Sequence, residues 1–86
     1  MKVSVYDTYV ARKDGRTMHF DILVPDSVAD LDTILAFGRA YLQSKGEDGQ
    51  PITATECTFC HIEDASPEVE GEVAARGYAI VEMENC

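Results

Sequence analysis

Positive charge is scarce in this chain. Seven Lys and Arg face sixteen Asp and Glu, for a formal net charge of −9 over 86 residues. No basic patch exists to neutralise phosphates, which argues against a nucleic-acid partner. The deficit is uneven. Up to Gly46 six acids balance six bases, whereas beyond it ten acids face only Arg76. Long apolar runs are also missing, so no stretch is fit to span a bilayer and no membrane role is expected. The start, Met1 to Asp7, has neither the apolar core nor the cleavage site of an export signal. Repeats, linkers and low-complexity segments are absent, so residues 1–86 are expected to form a single domain. Its core is small, burying roughly 60–65% of the unfolded surface. Cysteines number three, an odd count. Without an export signal, that points to free thiols in a reducing, cytoplasmic setting.

What is present is a clear sequence of elements. Residues 2–10 and 17–24 are rich in Val, Ile, Phe, Tyr and Thr and flank Lys13-Asp14-Gly15-Arg16. Asp-Gly between two such runs predicts a hairpin with a two-residue type I′ loop. Lys13 would then oppose Arg16, Tyr9 would face Phe20, Val5 Val24 and Ala11 Met18 on one side. Val10–His19, Thr8–Asp21 and Tyr6–Leu23 would pair on the other. This register sets Asp7 among apolar partners, where an unpaired carboxylate is costly. It needs a partner there, or the pairing is shifted by one residue.

Pro25 ends the second strand, and Ser27 offers an N-cap with Asp30 three residues on. Leu31, Ile34, Leu35, Gly38, Tyr41 and Leu42 recur at helical spacing and predict a helix over 28–45, closed by Gly46. Thr53 and Glu56 have capping-box spacing, predicting a short turn into Cys57. A third strand is expected over 59–63. Ser66-Pro67 starts a second helix with a narrow Val69/Val73 stripe, Gly77 ends it, and 78–84 form the last strand. The expected fold is a two-layer α+β domain of order ββαβαβ, with one mixed sheet of about four strands and two helices on one face.

Val5-Tyr6-Asp7-Thr8-Tyr9-Val10, Met18-His19-Phe20-Asp21, Glu56-Cys57-Thr58-Phe59-Cys60-His61, and Gly77-Tyr78 running into Glu82-Met83-Glu84-Asn85-Cys86 span both ends of the chain. In these stretches the sequence resembles a small, mainly bacterial domain-of-unknown-function family, the one numbered twenty twenty-four. That family usually has Gly where Asn85 stands. The resemblance implies a two-layer α+β domain and carries no activity, ligand or catalytic residue with it.

Chemistry beyond packing concentrates in Cys57-Thr58-Phe59-Cys60-His61. The string matches the covalent haem attachment pattern, but such attachment needs export, a wide apolar pocket and an axial ligand such as Met18 or Met83, so haem is rejected. Cys57, Cys60, His61 and the terminal Cys86 are the ligand types zinc prefers, and His19 is a substitute for one of them. In a regular strand, however, Cys60 and His61 would point to opposite faces and could not share an ion. A thiol redox role for the Cys57-x-x-Cys60 pair is the alternative. It lacks the long helix that normally comes after such a motif, and Glu56 disfavours a thiolate beside it. Buried structural thiols are the bland reading.

His19 and Asp21 form a second constellation on one face of the second strand, with Thr8 and Tyr6 expected beside them. A His next to a carboxylate is a candidate oriented base. An open sheet face carrying Tyr6 and Leu23 is a candidate homodimer surface. Together these features predict a binding or interaction module with a candidate Cys/His metal site, the alternative being a thiol-dependent redox protein.

Overall fold

The computed structural model describes residues 1–86. The elements are β1 (Lys2–Ala11), β2 (Thr17–Pro25), α1 (Leu31–Ser44), β3 (Cys57–Asp64), α2 (Pro67–Arg76) and β4 (Ala79–Glu84). The chain therefore adopts the predicted α+β order ββαβαβ, with one four-stranded sheet and two helices. Strand order is β3-β1-β2-β4. Each neighbouring pair is antiparallel, so the sheet is not the mixed one expected. The reason is topological. β2 and β3 run the same way, but β1 lies between them and pairs antiparallel with both.

The hairpin loop differs from the prediction by one residue. Arg12 donates its backbone N–H to the Arg16 carbonyl at 2.7 Å, and Gly15 donates to the Arg12 carbonyl at 3.0 Å. The loop is thus Lys13-Asp14-Gly15, with Gly15 in the left-handed region at φ +91°. Asp14 selects it. Its Oδ1 accepts the Arg16 backbone N–H at 3.0 Å, and its Oδ2 accepts from the Arg16 guanidinium at 2.8 and 3.0 Å. The same contacts hold the Asp14 carboxyl down at about 2. All expected pairings slip accordingly: Val10 opposes Met18, Tyr9 His19, Thr8 Phe20, Asp7 Asp21, Tyr6 Ile22 and Val5 Leu23.

With this register both faces of the sheet carry apolar side chains, and the helices divide between them. Met18, Phe20, Ile22 and Val24 share a twelve-residue buried cluster with Ile34, Leu35, Tyr41 and Leu42 of α1. Neighbouring side chains on a strand point oppositely, so Leu23 joins Val3, Val5 and Ala79 on the other face, under Val73 of α2. One helix therefore covers each face, rather than both covering one. A sheet apolar on two sides needs a cover on each. The Tyr6/Leu23 dimer surface disappears for the same reason: the two lie on opposite faces, and Leu23 is 2% exposed.

Local signals explain most boundaries. α1 starts three residues later than expected because Asp30, not Ser27, is its N-cap, accepting the Asp32 backbone N–H at 3.3 Å and the Thr33 hydroxyl at 2.7 Å. Its end is a Schellman motif: Gly46 donates to the Gln43 carbonyl at 3.1 Å and Glu47 to the Leu42 carbonyl at 2.8 Å, with Gly46 at φ +74°. Gly38 permits close packing, since a Cβ there would collide with the Ile52 side chain and lie 3.1 Å from that of Ile22. In the turn before β3, the Thr53 backbone N–H donates to Glu56 Oε1 at 2.7 Å, as the capping-box spacing predicts. Ser66 caps α2, and Gly77 closes it at φ +91°. Asn85 holds φ +57°, a conformation at home with Gly or Asn.

Candidate functional site

α2 is short and its apolar stripe narrow, so it covers only one end of its face. Beyond Val5, Leu23 and Ala79, the same face continues as Asp7 and Tyr9 on β1, His19 and Asp21 on β2, and Val81 on β4. His19 Nε2 lies 2.6 Å from Asp7 Oδ1. The His19 ring stacks on Tyr9 with centroids 4.2 Å apart and planes 12° from parallel. A carboxylate and an aromatic face thus fix the imidazole together. Asp21 sits directly across from Asp7, and its carboxyl is pushed up, first by burial and then by the hydrogen bond and charge of Asp7. One ligating atom from each of Asp7, His19 and Asp21 lies within 4.8 Å of the others, on side chains that are all half-buried.

The expected surface of His19, Asp21, Thr8 and Tyr6 is divided by the corrected register. His19 and Asp21 stay together, while Thr8 and Tyr6 lie on the α1 face. Thr8 is fully buried and donates its hydroxyl to the Tyr6 carbonyl at 3.2 Å. Tyr6 packs edge-on against Phe59, with centroids 5.7 Å apart. The carboxylate that orients His19 is Asp7, a residue outside the predicted set. Its signal was in the sequence as a charge with no partner in the expected pairing.

Cys57, Cys60, His61 and Cys86 do not converge. Cys57 opposes Thr8 and is 2% exposed within the α1 cluster. Burial pushes its thiol up, with the neighbouring Thr8 hydroxyl acting the other way. Cys86 lies two strands away, its Sγ 3.3 Å from the His19 carbonyl oxygen, to which it donates. Cys60 and His61 do meet, because β3 is bulged against β1. Val5 opposes His61 and Tyr6 opposes Phe59, leaving Cys60 as the extra residue. A bulge turns its two residues toward one side, and Cys60 Sγ lies 3.2 Å from His61 Nδ1. His61 Nε2 in turn lies 2.7 Å from Glu63 Oε1. The alternation of a strand places His61 and Glu63 on one face, a pairing visible in the sequence but not singled out. All three cysteines are free. A hollow of about 520 Å³ between α1 and residues 48–52 lies away from both clusters.

Comparison with known proteins fits this geometry to a family. The model of the family described as "Domain of unknown function (DUF2024)" matches residues 1–83. The chain belongs to DUF2024. Its fold is similar to the NMR structure of protein NE1680 from Nitrosomonas europaea, a structural genomics target, with a TM-score of 0.87 and 44% sequence identity. The match covers 100% of this DUF2024 chain and 99% of that one. No curated protein matches it. No helix of this DUF2024 domain is long and apolar enough to cross a membrane.

Proposed function

We propose that this domain is a small binding module that takes a divalent cation on the uncovered end of its sheet, held by Asp7, His19 and Asp21. The observation that carries this reading is the meeting of three ligating atoms within 4.8 Å of one another. Two carboxylates that close repel one another unless a proton or a cation lies between them. Burial first, and then Asp7, raises the Asp21 carboxyl, and a bound ion would supply positive charge between the two. Two oxygens and one imidazole nitrogen suit zinc with an open fourth position, and also manganese or ferrous iron. The net charge of −9 raises the local concentration of cations. Tyr9 and Val81 beside the site offer apolar surface to whatever the open coordination position receives.

The zinc expected at Cys57, Cys60, His61 and Cys86 is thereby moved to the carboxylate–histidine set, because those thiols lie apart. Three unpaired cysteines support a reducing, cytoplasmic setting.

Calorimetric titration of chelator-stripped protein with zinc and with manganese tests the reading. One ion per chain is expected, with Asp7→Asn and Asp21→Asn each weakening binding by at least about tenfold, the loss that even an outer-shell partner produces. Cys60→Ser should bind as the parent does. Absence of binding at about 1 mM metal, the weak end of specific affinity, would overturn it. So would loss of binding in Cys60→Ser with Asp7→Asn unaffected.

A further inference from the structure

The second cluster lies on the edge strand and supplies no ligand to the proposed cation site, although the Glu63 charge adds to the upward push on Asp21. We infer that Cys60 is a reactive thiol served by His61 and Glu63, and that it exchanges with small disulfides of the glutathione type to carry a mixed disulfide.

The arrangement is a nucleophile, a base and an orienting carboxylate in line, not a cysteine alone. Glu63 is an acceptor 2.7 Å from His61 Nε2, so that nitrogen carries the ring proton. Nδ1 is left with its lone pair 3.2 Å from Cys60 Sγ, aimed at the thiol. A carboxylate fixing the tautomer of a histidine that faces a nucleophile is the logic of a catalytic triad. The bulge that leaves Cys60 unpaired in the β1–β3 ladder is what brings it to this position.

The surroundings select the chemistry. No hollow adjoins the cluster, so acyl transfer has neither a pocket to seat its substrate nor walls to exclude water. Thiol–disulfide exchange needs neither. It needs an accessible sulfur that can approach a disulfide end-on, and Cys60 is exposed. In the step, the Cys60 proton passes to His61 Nδ1 and the sulfur attacks one sulfur of the incoming disulfide. A new S–S bond forms to Cys60 and the old one breaks. The departing thiolate takes the proton from the His61 imidazolium and leaves as a thiol. Cys60 is oxidised and the small disulfide is reduced by half.

The fold also decides the fate of the adduct. Cys57 is buried on the opposite face, so it cannot reach Cys60 to resolve the mixed disulfide. That bond persists until an external thiol removes it. This departs from a Cys-x-x-Cys redox pair, which would close on itself.

Peptide mass spectrometry after incubation with oxidised glutathione tests the inference. One adduct per chain is expected, on Cys60, with no Cys57–Cys60 disulfide. Iodoacetamide rates at each cysteine supply the kinetic arm. His61→Ala should slow Cys60 by at least about fivefold, below the usual range for general-base assistance because the cluster is exposed. Glu63→Gln should slow it by less. Cys57 remaining unmodified reports an intact fold in each variant. An exposed but unassisted thiol would react equally fast in all three proteins, and that result overturns the inference. So does an adduct on Cys86 in preference to Cys60, or an internal disulfide.

Discussion

The two faces of the sheet are finished to different degrees. On the α1 face, twelve buried residues from both central strands, the helix, the loop after it, the start of β3 and the turn before β4 form a cluster that includes Phe20, Met18 and Ile34 at no measurable exposure. Phe20 and Tyr41 rings meet there at 4.7 Å. On the α2 face the buried cluster has five members and stops at Val5, Leu23 and Ala79. Past that line the same strands turn over to Asp7, His19 and Asp21. A fold this small uses one side of its sheet for cohesion and leaves part of the other uncovered. Groups that repel one another or lack partners are tolerable only where packing has already been secured elsewhere.

That contrast can be broken from the cohesive side first. Phe20→Ala should cost about 3–5 kcal/mol, the usual loss for a fully buried phenylalanine. For a domain of this size, that approaches the whole stability and shifts the melting temperature by well over 10 °C. Val73→Ala, which removes the centre of the α2 cluster, should cost only about 1–2 kcal/mol. Chemical denaturation of the two variants checks the ranking; equal losses would mean that the faces contribute alike.

Gly38→Ala probes how closely α1 approaches its neighbours. Alanine favours the helix by up to about 1 kcal/mol over glycine. The new methyl group, however, meets Ile52 and Ile22, and overpacking of this kind costs about 1–3 kcal/mol. A net loss of about 1 kcal/mol is expected in the same denaturation assay. A gain would show that Ile52 and its loop yield readily.

The smallest effect is expected on the open face, and its sign is informative. The Asp21 carboxyl is raised in the folded protein by burial and by Asp7. The folded chain therefore holds this proton to higher pH than the unfolded chain does. Stability from this group is present below the unfolded carboxylate value and is lost as pH rises through the folded one. Asp21→Asn should accordingly melt slightly higher than the parent at pH 7 without divalent metal, and the difference should vanish by about pH 3, below the unfolded value. Adding zinc should reverse the order, because only the parent retains all three ligands. Thermal melts at both pH values, with and without zinc, measure this.

Much of the fold was legible because its signals are local. Ser66-Pro67 and Gly77 bound α2, Gly46 closes α1, and Thr53 with Glu56 shapes the turn into β3. The site was legible only in part. His19 and Asp21 stood out as neighbours on one strand, but their third member depended on a register chosen by the side chain of Asp14, and a one-residue shift exchanges every facing pair. The division of helices between faces escaped for a related reason. Leu23 and Ile22 are both apolar and adjacent, so the strand pattern does not say that each side needs its own cover. Cys60 and His61 were expected to diverge because a regular strand would separate them, and periodicity does not announce a bulge.

The extra residue at Cys60 also bears on how chains of this kind diverge. Loss of one residue between Phe59 and His61 would restore a regular ladder and leave no position for the thiol beside the ring. Substitutions along β3 can drift while the cluster survives, since most of the strand is exposed. A single-residue deletion would end it in one step. The spacing from Phe59 to Glu63 is therefore a sharper marker of the inferred thiol cluster than the Cys-x-x-Cys-His letters themselves.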